Sequence, residues 1–123
     1  MILGIGIDIV EICRFEGSEG KEAFIGKVFT FKEIEECRAV KKTAEMFARK
    51  FAIKEAFMKA IGAGIGQGVW FTNIEVLNNT NGQPQIIPHK KAKQYFEELK
   101  ANSIHASYSS NGGLAIGVVM VAE

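Results

Sequence analysis

Apolar and small or polar positions alternate from residue 2 to residue 10. Leu3, Ile5, Ile7 and Ile9 share one face, and Gly4, Gly6 and Asp8 share the other. A period of two predicts a strand. Its second face is bare except for one carboxylate. A short mixed segment over residues 19–28 predicts a helix. Thr30 to Glu33 reads T-x-x-E, a capping box that opens a further helix to about Lys41. The strongest helical signal runs from Thr43 to Ile61. It holds no glycine or proline, and Gly62 and Gly64 close it as a C-cap would. Phe47, Phe51, Met58 and Ile61 lie on one side of this helix, and Met46, Ile53 and Phe57 on another. A helix apolar all round is predicted to be mostly buried.

Val69 to Leu77 is rich in β-formers. Residues 78–82, NNTNG, form a turn signal, and Gln83 to Ile87 reads as the returning strand. Pro88 then opens a polar helix to about Ala101. Ile104 to Ser110 and Leu114 to Ala122 are predicted strands around the turn Asn111-Gly112-Gly113. No repeat, linker or low-complexity stretch interrupts this order. The sum is an α+β chain, with a mainly antiparallel sheet packed against a long buried helix, in a single domain over residues 1–123.

Composition narrows the function classes. The chain has 123 residues, 47% of them hydrophobic, which suits one sizeable core. A formal net charge of +1 gives no basis for a nucleic-acid or membrane-surface partner. No apolar run approaches the roughly 20 residues that span a bilayer. The apolar start lacks a basic stretch and carries Asp8 and Glu11, so a secretory signal is not expected. Cys13 and Cys37 form neither a metal-like pair nor a disulfide framework. They read as ordinary thiols of a reducing cytoplasm.

Few residues are candidates for chemistry. Glu55 and Lys59 are spaced i, i+4 and meet on one helix face. They are a solvated surface pair or a functional one, and pattern alone leaves both open. Their stripe carries Ala48, Ala52 and Gly62, small residues that allow something to approach closely. Asp8 stands on the glycine face of the first strand, where bare glycines leave room for a ligand or another backbone. Asp8 and Glu55 together offer two hard oxygen ligands, the kind magnesium takes alongside phosphates and water. The run G62-A-G64-I-G66-Q-G68 lacks the G-K-[ST] of a P-loop and follows its helix rather than preceding one. It is a C-cap with a flexible connection, or a nest of amides that binds an anion. His105 sits early in a strand, and no serine or cysteine elbow accompanies it to suggest a triad. His89 reads as an exposed bystander. Trp70 and Phe71 are expected in the core or an interface.

These residues recur together in one family. The opening G-I-G-I-D-I-V-E-I-x-R-F, the helix F-A-I-K-E-A-F-M-K-A, then G-A-G-I-G, V-W-F-T-N-I-E-V, N-G-Q-P and H-A-S resemble the holo-acyl-carrier-protein synthases in the same order. These are the small, single-domain phosphopantetheinyl transferases. The resemblance implies a magnesium-dependent transfer of 4′-phosphopantetheine from coenzyme A to a serine of apo acyl carrier protein, with adenosine 3′,5′-bisphosphate as leaving group. It also implies a homotrimer with active sites at its interfaces. It assigns Asp8 and Glu55 to the metal, and Lys59 to the phosphates as a third catalytic residue. It places Lys50, Lys59, Gly62, Gly64 and His105 along coenzyme A, with His105 supplied across an interface. Arg14 matches a position that docks the acidic carrier protein, and Lys21 and Lys27 are expected to join it. Glu55 is the candidate acceptor of the serine proton.

Two positions depart from the family pattern. Lys50 stands where arginine is frequent. Ser109-Ser110-Asn111 replaces a histidine-containing triplet, with hydroxyls or amides as substitutes toward a nucleotide phosphate. Two other readings share the same residues: a non-catalytic module that binds coenzyme A or carrier protein, and a metal-dependent nucleotide phosphohydrolase.

Overall fold

The computed structural model describes residues 1–17 and 21–123. Strand β1 (Ile2–Glu11) leads through a 3-10 turn (Ile12–Phe15) to α1 (Lys21–Val28), α2 (Phe31–Arg38) and the long α3 (Thr43–Ile61). Two 3-10 turns (Ile65–Gln67 and Phe71–Asn73) precede the hairpin of β2 (Ile74–Asn78) and β3 (Pro84–Pro88). Helix α4 (Lys90–Glu98) and the strands β4 (Ser103–Asn111) and β5 (Leu114–Ala122) complete the chain. One sheet has the order β1-β5-β4 and the other is β2-β3; every described strand pair is antiparallel. The α+β expectation therefore holds, with α3 packed against the three-stranded sheet.

Which face of β1 turns inward is decided by α3. Gly4, Gly6 and Asp8 face the helix, while Ile5, Ile7 and Ile9 point outward, 63%, 61% and 56% exposed. The bare glycines admit another backbone. A Cβ on Gly4 would overlap the Ala60 carbonyl oxygen, and one on Gly6 would overlap that of Ala56. On β5, a Cβ on Gly117 would stand 2.8 Å from the backbone of Ala52 and Ile53. Ala52, Ala56 and Ala60 recur every fourth residue, so they form one stripe of the helix. That stripe lies directly on the glycines. Asp8 pairs with Gly117 across the sheet, which sets its carboxylate beside the same stripe.

The other sides of α3 are buried too. Phe47 and Phe51 join Phe15 and Phe29 in an aromatic cluster, with ring centroids 4.9–6.4 Å apart. Ile53, Phe57 and Ile61 join Val69, Ile74 and Val119 in a second apolar cluster. Between them α3 carries two fully buried lysines. Lys54 donates to Glu33 Oε1 at 2.9 Å, to the Phe71 carbonyl at 2.9 Å and to the Ile74 carbonyl at 2.6 Å. That uses all the donors an ammonium has. Glu33 also accepts the Val76 and Thr30 amides, each at 2.7 Å. Burial pushes the Lys54 amine down from its usual range, and the adjacent Glu33 charge works against that. Removing one member of such a pair strands its partner, at a cost of about 3–5 kcal/mol.

Element ends differ from expectation where side chains intervene. The Thr30–Glu33 capping box is present, but α2 stops at Arg38, short of Lys41. Residues 71–73 form a 3-10 turn rather than strand, because the Asn73 side chain accepts the Trp70 amide at 3.2 Å while Lys54 claims the Phe71 carbonyl. Pro88 ends β3 opposite Ile74 instead of opening α4. At the last hairpin Gly112 and Gly113 both have positive φ, 59° and 82°, as a type I′ turn requires. Residues 19 and 20 of the helix expected over 19–28 lie outside the described residues, as does the side chain of Lys21.

The glycine contact sets a test. Gly6→Ala forces a methyl into the Ala56 carbonyl and lifts α3 from the sheet. The expected loss is about 1–3 kcal/mol or more, read as a lower urea midpoint at unchanged slope.

Candidate active site

Helix α3 and strand β1 converge on three of the candidates. Lys59 Nζ donates to Asp8 Oδ1 at 3.1 Å and to the Ile7 carbonyl at 2.9 Å. Such reach depends on the glycine contact, since Asp8 has a short side chain. Its carboxylate is largely covered, whereas the Lys59 side chain is 55% exposed. Glu55 lies one helical turn before Lys59 and is half-buried. Burial holds the Glu55 carboxyl above its usual range, and the Asp8 charge raises it further; Lys59 and Arg14 pull the other way. Two nearby carboxylates with one raised proton affinity form a site that favours an added cation or a proton.

A cavity of about 400 Å³ opens at Glu55 and Lys59, walled by Met58, Gly64, Ile65 and Phe71 among others. One end is ionic and the rest is apolar apart from the Gln67 amide. Gly62 and Gly64 line it, but their amides are engaged within the chain. The Gly62 amide points to the Lys59 carbonyl at 3.3 Å, completing the C-cap at φ +71°. The Gly64 amide donates to Gln67 Oε1 at 2.8 Å. The glycine run is thus a cap and a smooth wall rather than an open nest of amides. Gln67 was not foreseen as part of the wall. It is the one polar side chain between Gly62 and Gly68, and that was its available signal.

One expectation about the cavity is corrected by the geometry. Lys50 does not reach this cavity. It is fully buried on another side of α3, donating to Glu36 Oε1 at 2.7 Å and to the Val76 carbonyl at 2.6 Å. The side of α3 that carries Lys50 faces α2 and β2, so Lys50 is spent on packing α3 against them. Phe71, expected in the core or an interface, packs against both apolar clusters, lies 5.2 Å from the Phe51 ring and walls the cavity; Trp70 beside it is 60% exposed.

The remaining candidates lie elsewhere. His105 is exposed on β4, opposite Met120, and borders a separate cleft of about 600 Å³ between β3 and β4. That cleft shares no lining residue with the first cavity. Arg14 rests over the Phe51 ring at 5.1 Å, close enough for its charge to act on Glu55. Ser110 accepts two bonds from Arg49, at 3.0 and 2.6 Å, and donates to Glu45. Lys27 is exposed on α1. His89 meets Glu75 at 3.1 Å, and Thr30 donates to the same carboxylate at 2.6 Å, so His89 is not a bystander. Burial drives the Cys37 thiol up to about 12, which leaves it inert.

Asp8 and Glu55 are the two carboxylates at the ionic end of the cavity that could share a divalent ion. Among the described residues no group of three or more His, Cys, Asp or Glu side chains could enclose a metal. The rest of the coordination must come from water and substrate, the pattern magnesium prefers at phosphates.

Comparison with known proteins places this geometry. The model of the 4′-phosphopantetheinyl transferase superfamily matches residues 4–119. A holo-[acyl-carrier-protein] synthase of Trichlorobacter lovleyi is 43% identical over 123 residues, covering 98% of each chain. One of Geotalea daltonii is 38% identical and covers all of both chains. The crystal structure of a holo-[acyl-carrier-protein] synthase from Neisseria meningitidis superposes with a TM-score of 0.87 at 31% identity, over 100% of both chains. That of the Helicobacter pylori protein, in complex with coenzyme A, gives 0.82 at 33% identity, over 96% of this chain and 99% of that one.

The raised Glu55 proton affinity carries a sign. A carboxyl whose affinity is higher in the folded state costs stability when ionised, so stability falls as pH rises from about 4.5 through the raised value. In the presence of chelator, Glu55→Gln is expected to raise the melting temperature at pH 7 and to leave it unchanged below pH 4, as followed by circular dichroism.

Proposed function

This chain belongs to the 4′-phosphopantetheinyl transferase superfamily, and we propose that it moves 4′-phosphopantetheine from coenzyme A to a serine of apo acyl carrier protein. The observation that carries the reading is that Glu55 and Lys59 line one end of a mainly apolar cavity while Lys59 holds the Asp8 carboxylate beside it. Phosphates need the charged end, and a pantetheine arm suits the apolar one.

The chemistry follows from charge. The serine oxygen forms a bond to the phosphorus that bears pantetheine. The bond from that phosphorus to the bridging oxygen breaks, and adenosine 3′,5′-bisphosphate leaves with its electrons. Asp8 and Glu55 would hold magnesium, which neutralises charge on the pyrophosphate. The Lys59 ammonium, held by Asp8 and the Ile7 carbonyl but still half exposed, turns to the oxygens where negative charge grows. Glu55 accepts the serine proton. It does so directly or through a metal-bound water, since it lies at the end of the cavity that holds Lys59.

Arg14 and Lys27 dock the acidic carrier protein, chiefly by speeding encounter in a salt-sensitive way. His105 faces another cleft, so it contributes to coenzyme A binding only from a neighbouring subunit. That is one argument for a homotrimer. The other is the outward row of Ile5, Ile7 and Ile9, continued by Ile116 at 38% exposure. A contiguous apolar row of this kind marks a covered surface. A cytoplasmic location fits the dependence on coenzyme A and the two cysteines held as thiols.

Two measurements test these proposals. Incubating apo acyl carrier protein with this protein, coenzyme A and magnesium is expected to add one phosphopantetheine mass, and to add none with chelator or with Asp8→Ala. Release of adenosine 3′,5′-bisphosphate without carrier protein would point to a hydrolase instead. Sedimentation equilibrium is expected to give three times the chain mass, falling to the monomer for Ile7→Lys.

A further inference from the structure

The wall of the cavity is chemically lopsided. No charged residue occurs between Lys59 and Glu75. Six residues of that segment, Gly62, Ala63, Gly64, Ile65, Gln67 and Phe71, line the cavity. Trp70, the only tryptophan in the chain, lies inside the same segment and is 60% exposed, although Val69 before it is fully buried. Ile65 is 48% exposed. Ile65 therefore stands out at the cavity wall, and Trp70, next in the chain to the wall residue Phe71, stands out beside it.

Trp70 is also held in place. Its amide donates to Asn73 Oδ1 at 3.2 Å, and its carbonyl accepts the Asn73 amide at 3.0 Å. The next carbonyl, of Phe71, is gripped by the buried Lys54 ammonium. With its backbone already fixed, only two side-chain torsions remain to be ordered when the ring is covered, and tryptophan is among the residues enriched in binding hot spots. Contact runs on from here. Phe71 packs against Phe51, and Arg14 lies over Phe51.

We propose that Trp70, with Ile65, forms an apolar lip on which the carrier protein seats while its serine enters the site. This rests on the transferase reading above. The carrier must bring its serine to Glu55 at this mouth, so its surface has to cover the rim. The lip and Arg14, joined through the two rings, meet a partner that is apolar in one place and acidic in another. The pantetheine arm of coenzyme A occupies the inside of the cavity, and its phosphate-rich nucleotide is a poor match for the outer lip, whose segment carries no cation. Lys91, whose stem packs near Gly68, directs its ammonium over the Tyr95 ring at 6.0 Å.

The test varies the two substrates separately. Trp70→Ala is expected to raise KM for the carrier protein about tenfold, with kcat at saturating carrier and KM for coenzyme A unchanged. Trp70→Phe, which keeps an aromatic ring, is expected to retain most of the affinity. Because Trp70 is the sole tryptophan, adding apo carrier protein to the wild type should shift its emission to shorter wavelength. Unchanged carrier KM in Trp70→Ala, or unmoved emission, overturns the proposal. A rise in KM for coenzyme A alone gives the lip to the nucleotide, and emission that depends only on the protein's own concentration gives it to a second copy. Failure of the wild type to modify any carrier protein would count against the transferase reading, whereas normal modification with an indifferent Trp70 would count against the lip alone.

Discussion

Everything at the site depends on how closely α3 lies on its sheet. Ordinary helix–sheet packing is separated by side chains on both surfaces. Here the Ala52, Ala56 and Ala60 stripe meets Gly117, Gly6 and Gly4, and backbone touches backbone. The approach costs the usual interdigitation of large groups along that seam. It brings the Asp8 carboxylate within 3.1 Å of Lys59, and puts its charge within range of Glu55, from a neighbouring element. Long side chains could bridge a wider gap, but with more freedom to lose on being ordered. A short aspartate on a strand and a glutamate on a buried helix are better fixed.

The same close contact divides the labour among the charged residues of α3. Lys50 and Lys54 are fully buried, so each takes one carboxylate of α2 and carbonyl oxygen from the segment around β2, one for Lys50 and two for Lys54. Glu55 and Lys59 lie where the helix emerges from its neighbours, and they keep unspent electrostatics. A buried pair that is fully satisfied is structural; a half-buried pair with a raised carboxyl is available for chemistry. Burial thus sorts four charged residues on one helix into two roles.

Much of this was legible in the sequence. Alternation announced β1, the glycine-free apolar run announced α3, and T-x-x-E announced the start of α2. Helical spacing put Glu55 and Lys59 one turn apart, as they are, but the partner that Lys59 takes is Asp8 on β1. The inward turn of the glycine face was one of two options, and only the packing of α3 decided between them. The fates of Lys50 and Lys54 were harder to see, since their partners Glu33 and Glu36 lie on a separate short helix. A signal did exist: two lysines four apart on a helix with no polar side, and two glutamates three apart just upstream. Residues 71–73 misled because aromatic and β-branched residues suit strands, whereas Asn73 and Lys54 together bend the backbone into a turn. The placement of His105 away from Glu55 is a matter of topology, which local pattern does not encode.

The Lys54–Glu33 pair bears on how the molecule breathes. Helix α2 has only eight residues, too few to persist without tertiary support. If it frayed alone, the Lys54 ammonium would lose its carboxylate while remaining buried, and the Val76 amide would lose its acceptor. Partial opening there is therefore almost as costly as releasing α3 and β2 as well. The three elements form one cooperative opening unit, whose amides exchange with solvent together. A cavity wall anchored to that unit through Phe71 keeps its shape between turnovers.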